Sequence, residues 1–472
     1  MKMDKRPQSV LIIGSGVFGL TTADALSKRP GFEKTSITVV DDTHGTGRFP
    51  PTDSASVDSS RIVRADYSDP AYSALAAEAQ NHWRQQGDDQ LGGQGRYAET
   101  GFVLTANDTG KWADGQKTGL DYVRGSWKNV VGATEAAGLS KDKIRVLDSK
   151  EALQRELKTA GYPGDWGYVN EYSGWADAGR SMEWLYAQVK AKGVVNFVDA
   201  KVHELVTEGR KVIGAKLKDG KLLRADWVMV AAGAWCSDLI DLRGRVEATG
   251  HVLGYLEITD KEQEAFAKRP VVLNLTTGLF IITPCNNILK IARHGYGYLN
   301  PEVITTALPV SPDHKKEPIV ASRPCTARDD ASNAMPYEAD RLFRRGLRDL
   351  IPGEGIELRP WKGARVCWYS DTKDADWLVD WHGGGWENLF IATGDSGHAF
   401  KFLPVLGDKI VDVMLGKGGE LGQKWRWKEI EDQSVGRVVD GKFRGLITED
   451  GSRGGRPGMI LKEEFARLPP KL

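Results

Sequence analysis

The chain has 472 residues, more than one compact core holds, so two domains are expected. Its 64 basic and 64 acidic residues cancel, which excludes the broad basic field that nucleic acid or an anionic membrane requires. Hydrophobic residues, at 40%, are ordinary for a globular protein. The longest apolar run, near Val228 to Trp235, is strand-sized rather than membrane-spanning. Cys236, Cys285, Cys325 and Cys367 lie far apart, so a reducing compartment is expected, with no disulfide framework and no metal site.

Ser9 to Ile13 reads as a short buried strand, and Gly14-Ser15-Gly16-Val17-Phe18-Gly19 follows it directly. A helical pattern runs from Leu20 to Lys28, and a second strand, Ser36 to Val40, ends in Asp41-Asp42. This is a complete dinucleotide-binding start. Gly14 permits the tight turn, Gly16 lets backbone approach a pyrophosphate, and Gly19 lets helix and strand pack closely. The helix N-terminus aims free N–H groups at the phosphates. Asp41, 22 residues after Gly19, accepts hydrogen bonds from ribose hydroxyls, which argues against NADP. The motif alone leaves FAD and NAD open. The strand Asp226 to Ala231, ending in Ala232-Gly233-Ala234-Trp235, resembles a second glycine motif of flavoproteins and favours FAD.

Thr43 to Ser60 is rich in Gly, Pro, Ser and Asp and reads as a long loop. A helix is predicted at Tyr72 to Gln85 and a strand at Tyr97 to Leu104. Lys117 to Leu157 reads as mainly helical, and Ala178 to Lys192 as a helix. Val202 to Leu222 alternates like a β-meander. Strands of a large sheet are predicted at His251 to Asp260, Val271 to Asn274, Leu279 to Thr283 and Ile288 to Ala292, a helix at Glu338 to Leu350, and further strands at Gly363 to Trp368 and Leu389 to Ala392. The polar, Gly-rich tail beyond Gly418, with its Trp425-Arg426-Trp427 patch, is expected to wrap the surface.

Two C-terminal segments are more specific. Gly363-Ala364-Arg365-Val366-Cys367-Trp368-Tyr369-Ser370-Asp371-Thr372 precedes Gly394-Asp395-Ser396-Gly397-His398-Ala399-Phe400-Lys401. With the Gly14 motif, these resemble the family of monomeric sarcosine oxidase and fructosyl amino acid oxidase (amadoriase), which also includes saccharopine and pipecolate oxidases. The resemblance implies an α/β FAD-binding Rossmann-like domain of glutathione-reductase type. That domain would be interleaved with a mixed-sheet α+β substrate domain. The expected boundaries give residues 1–95, 165–245 and 355–472 to the FAD domain and 96–164 and 246–354 to the substrate domain.

The resemblance also implies roles. Cys367 stands where the family bonds FAD covalently. Val202, Ala232, Gly233, Trp235, Asp395, Gly397 and Lys401 are implied cofactor contacts. Lys290, in the apolar strand Ile288-Leu289-Lys290-Ile291, stands where a family lysine helps O2 accept electrons. Burying an ammonium is costly, which favours a functional reason for it. Arg61 would lie against the flavin, while Arg64 and Lys401 would hold a substrate carboxylate; a guanidinium fork suits that task. The deglycating members have an acid near Thr283. This chain has none there, which moves weight to another N-substituted or cyclic amino acid. Arg426 is a candidate contact for a second carboxylate, as in saccharopine.

The expected activity is oxidation of a secondary amine to an imine, with O2 reduced to H2O2. The expected partners are a small amine or amino-acid substrate and O2, without nucleic acid, metal or membrane, and the chain is expected to be a monomer. A non-catalytic flavin-binding protein and an NAD-linked dehydrogenase are the rival readings. The terminal Pro470-Lys471-Leu472 is an imperfect peroxisomal signal, so a peroxisomal or cytoplasmic location is expected.

Overall fold

The computed structural model describes residues 6–110, 117–326, 335–353 and 355–467. The Pro470-Lys471-Leu472 signal lies outside the described residues. No helix among them is long and apolar enough to cross a membrane.

Strand Ser9–Ile13 is the centre of a six-stranded sheet. It pairs in parallel with Ser36–Asp41 on one side and Trp227–Val230 on the other. Val195–Asp199 and Leu389–Thr393 extend the parallel set, and Leu378–Trp381 closes one edge antiparallel. The strands are continuously apolar because the sheet is covered on both faces. On one face, helix Val17–Lys28 packs on helix Leu403–Met414. Their approach is so close that a Cβ on Gly407 would sit 2.0 Å from the Thr21 carbonyl oxygen. Residues 9 and 413 thus share one core.

The second layer is a ten-stranded sheet among the described residues. Its central strand, Glu247–Glu257, pairs antiparallel with Gly363–Asp371 and with Ile288–Arg293. His251 lies opposite Cys367, and Tyr255 opposite both Gly363 and Lys290. Side chains alternate across a strand. The register therefore puts Thr249, His251, Tyr255, Lys290, Arg365, Cys367, Tyr369 and Asp371 on one face. Val252, Val366 and Trp368 take the other, against helix Tyr337–Leu350. That helix buries Ala339, Phe343, Gly346, Leu347 and Leu350, a stripe at helical spacing.

The predicted meander is present as Val202–Glu208, Lys211–Leu217 and Leu222–Arg224. Other segments differ from expectation. The strand predicted at Tyr97 to Leu104 is two strands, Tyr97–Ala98 and Phe102–Ala106, in different sheets. Gly101 between them has φ +83°, a left-handed turn that redirects the chain. The region read as mainly helical contains helices Gly119–Ala136 and Lys150–Leu157, but also strand Ile144–Leu147. This strand ends the large sheet, and its short pattern is masked by helix formers on both sides. Strands Trp166–Asn170 and Gly363–Asp371, which lie in segments expected for the FAD domain, pair in the large sheet.

The tail does more than wrap the surface. Trp425 is fully buried, donates to the Tyr72 hydroxyl and packs on Trp377 at 4.8 Å. Met459–Ile460 joins the large sheet beside Tyr298–Leu299. Arg453 reaches inward to pair with Asp371, with side chains 1% and 3% exposed. Removing one partner of a buried pair strands the other charge. Arg453→Met is therefore expected to cost about 3–5 kcal/mol, measured as a fall in Tm and in the denaturant midpoint. A variant as stable as the parent would show that Asp371 is neutralised by another group.

Candidate active site

One cavity follows the C-terminal ends of the parallel strands. Its walls include Gly14, Gly16, Val17, Phe18, Asp41, Arg61, Val202, Ala232, Gly233, Trp235, Asp395 and Gly397. Sequence reasoning named all twelve, from six separated stretches of chain. The backbone explains their fit to a dinucleotide. Gly14 has φ +104°, and a Cβ there would lie 2.4 Å from the Ala231 carbonyl oxygen. A Cβ on Gly19 would lie 1.9 Å from the Gly14 carbonyl oxygen, so Gly19 serves packing rather than the cavity wall. At Gly16 the nearest atom to such a Cβ is the Ser54 hydroxyl, 3.8 Å away, and at Gly233 nothing lies within 4 Å. Backbone is thus open where a pyrophosphate needs it. The helix beginning at Val17 has no acidic residue in its first turn and no side-chain cap, so its N–H groups are free for phosphate.

Ser15 is buried, and both its N–H and its hydroxyl donate to Asp41 Oδ2 at 2.7 Å. It locks the turn to the second strand. Burial raises the Asp41 pKa, while those bonds hold it down. Asp395 is held in the same manner: Ser370 donates from N–H and hydroxyl to Oδ1, and the Gly397 N–H donates to Oδ2. A Cβ on Gly397 would lie 2.2 Å from the Tyr369 ring, so glycine lets that ring lie on the backbone.

Behind Arg61 is a charged cluster. Asp58 pairs with Arg61 and with Lys290, the latter at 2.8 Å, and accepts from the Tyr255 hydroxyl at 3.1 Å. Lys290 also donates to the Ser60 carbonyl oxygen. Arg61 Nη2 donates to Cys367 Sγ at 3.3 Å. Burial would raise the Asp58 pKa, but Lys290 and Arg61 outweigh it and hold it well below the carboxylate range. Burial pushes Lys290 down to about 8, against the pull of Asp58. Sequence reasoning missed Asp58, which sits in the long loop; its only signal is its place three residues before Arg61.

A second, larger cleft of about 1040 Å³ is lined by neighbouring residues of the same segments. Arg61 lines one and Arg64 the other; Gly397 lines one and His398 the other. Arg64 is buried, lies over the Tyr67 ring at 4.7 Å, and its Nη1 has no hydrogen-bond partner among the described residues. Lys401 donates to the Tyr67 hydroxyl and to the His398 carbonyl oxygen, each at 2.8 Å. Its pKa is driven well below the usual lysine value by burial and then by Arg64. His294 and His398 are also held neutral, chiefly by burial. Arg426 is exposed on the rim and donates to the Gln423 carbonyl oxygen. Thr283 is not brought to either cavity wall; it donates to the Arg269 carbonyl oxygen and contacts Thr100.

A glycine-lined dinucleotide cavity beside a cleft that carries a buried guanidinium is the arrangement of a flavin-dependent oxidoreductase. Residues 9–413 match the family model DAO, FAD dependent oxidoreductase, and the chain belongs to that family. It is 31% identical over 475 residues to amino acid oxidase imqH of Aspergillus flavus, covering 89% of this chain and 98% of that protein. It is 28% identical to L-saccharopine oxidase of Schizosaccharomyces pombe, over 90% of this chain and 94% of that one. Among solved structures it shares the fold of amadoriase I from Aspergillus fumigatus, with TM-score 0.74, 24% identity and coverage of 98% and 96%. The chain is thus an FAD-dependent oxidoreductase, related to named amino acid oxidases.

Proposed function

We propose that this enzyme oxidises the secondary-amine C–N bond of an N-substituted or cyclic amino acid to an imine, with O2 reduced to H2O2. The observation that carries the reading is Arg64: a buried guanidinium with an unpartnered Nη1, beside Lys401, in a cleft walled by the same segments as the dinucleotide cavity. An unpaired buried cation fits an anion that arrives with the substrate. Bound FAD supplies the hydride acceptor and the electrons for O2.

The chain's own residues bind, orient and balance charge. Gly14, Gly16, Gly233 and the helix N-terminus at Val17 hold the pyrophosphate, and Asp41 holds the ribose. Arg64 and Lys401 receive the carboxylate. An arriving anion raises the lowered Lys401 pKa again, because an opposite charge favours the charged form. His294 and His398 are neutral, so neither adds a competing positive charge. Lys290, with Asp58 and Ser60 fixing its ammonium, stabilises the negative charge that builds on O2. A substrate with a second carboxylate is the alternative that Arg426 favours, from its place on the rim. We place the enzyme as a monomer in the peroxisome or cytoplasm. A screen of N-methyl, N-carboxyalkyl, cyclic and fructosyl amino acids for H2O2 tests the reading; peroxide from simple amines alone would contradict it.

Cys367 is the proposed attachment point for FAD. It lies on the sheet face toward Arg61, which donates to its sulfur. After acid precipitation the yellow colour is expected in the protein pellet, and Cys367→Ser is expected to release it to the supernatant. Colour wholly in the supernatant of the parent protein would remove the link.

A further inference from the structure

The large cleft holds several carboxylates that the reading above does not use. Asp450 lines it, on the turn Thr448 to Arg453 of the C-terminal tail. This turn is fastened on both flanks to the strand end that carries Cys367. The Thr448 hydroxyl donates to the Thr372 carbonyl oxygen at 2.8 Å, and the Glu449 N–H to the Lys373 carbonyl oxygen at 2.7 Å. Arg453 pairs with Asp371 and donates to the Ser396 carbonyl oxygen at 2.9 Å. Gly451 between them has φ +84°, and a Cβ there would lie 3.0 Å from the Thr118 carbonyl oxygen. The position of Asp450 is therefore set by the core.

Its own bonds are lopsided. Oδ1 accepts from the Ser452 N–H at 3.0 Å and hydroxyl at 2.7 Å, while Oδ2 has no hydrogen bond among the described residues. Burial raises its pKa, and Ser452, Arg453 and Lys117 hold it down. Its charge is felt by Tyr67, Tyr122 and Tyr296. Two of these rings, Tyr67 and Tyr122, also feel Arg64 and line the same cleft. Among the described residues, one cleft thus offers an unpartnered guanidinium nitrogen at one place and a carboxylate oxygen without a hydrogen bond at another, with tyrosines in its wall.

We propose that Asp450 is a specificity-determining residue, whose carboxylate receives a hydroxyl or ammonium donor at the end of the substrate remote from the carboxylate held by Arg64. The inference rests on the amino-acid reading and narrows it. The substrate class is an N-substituted amino acid with a distal hydrogen-bond donor, on an aromatic or extended side chain that fits the tyrosine-lined wall. An acceptor built for a donor discriminates against analogues that lack it, since a bound ligand then covers the half-buried oxygen without giving it a partner.

The test uses the FAD-loaded enzyme and unreactive carboxylates in matched pairs: 3-phenylpropionate with 3-(4-hydroxyphenyl)propionate, and hexanoate with 6-aminohexanoate. Kd is read from the shift of the flavin absorption bands, and the retained flavin spectrum shows that each variant is folded. In the parent enzyme the donor-bearing member of at least one pair is expected to bind roughly tenfold tighter. Asp450→Asn, which keeps an oxygen for Ser452 but removes the charge, and Asp450→Ala are both expected to erase that ratio. A parent enzyme that discriminates neither pair overturns the proposal, as does a preference that survives in both variants. A preference lost in the variants, with no N-substituted amino acid reducing the flavin, upholds Asp450 and sinks the amine-oxidising reading instead.

Discussion

Lys401→Ala is expected to raise the apparent KM for the substrate by between roughly 30-fold and a few thousand-fold. Truncating one partner of a charged contact in a partly dry site costs about 2–5 kcal/mol, at about 1.4 kcal/mol per tenfold. The reason lies in the surroundings. Lys401 is buried, with only the Tyr67 hydroxyl and the His398 carbonyl oxygen as partners, and Arg64 nearby has an unpartnered nitrogen. Without the lysine, a carboxylate at Arg64 loses the second buried cation beside it. A mutation alone could also disturb Tyr67, so the comparison must be double. The amide of a substrate should react poorly with the parent enzyme and lose little more in Lys401→Ala. FAD loading and its attachment should be unchanged. An amide that still loses the full factor in the variant would move Lys401 to a packing role.

Lys290→Met should act on the other half of the cycle. Reoxidation by O2 is expected to slow by roughly 100- to 1000-fold, the range seen when one preorganised charge-stabilising group is removed. Anaerobic reduction by substrate should change little, because the ammonium is fixed by Asp58 and Ser60 rather than by the carboxylate site. The pH dependence follows in sign. Burial has lowered the Lys290 pKa to about 8, so the charged form dominates below that value and is lost above it. Reoxidation should therefore fall as pH rises through about 8, and the Met variant should lack this fall. Equal oxidation rates in the two proteins would exclude Lys290 from the reaction with O2.

The dinucleotide side was legible because local sequence dictates it. Gly14, Gly16 and Gly19 lie within six residues, and each answers a steric demand that the structure makes visible as a Cβ clash or an open backbone. The large sheet was legible as strands but not as a face. That Lys290, His251 and Cys367 look the same way depends on register between strands more than a hundred residues apart in part. No periodicity within one strand encodes it. Asp58, Asp450 and Arg453 were invisible for a related reason. They lie in loops and a polar tail, where charge is ordinary, and only tertiary placement buries their side chains among partners. Thr283 shows the converse: a place taken from a family pattern, on a strand that turns its hydroxyl to the Arg269 backbone.

The central claim is that an amino acid, held by its carboxylate at Arg64 and Lys401, reduces the flavin from the adjoining cleft. Anaerobic mixing of the enzyme with an N-substituted amino acid and with the matching amine lacking the carboxylate tests it most directly. Rapid bleaching by the acid, and bleaching at least roughly 30-fold less efficient by the amine, is the predicted result. Equal bleaching by both, or none by any N-substituted amino acid, would contradict it.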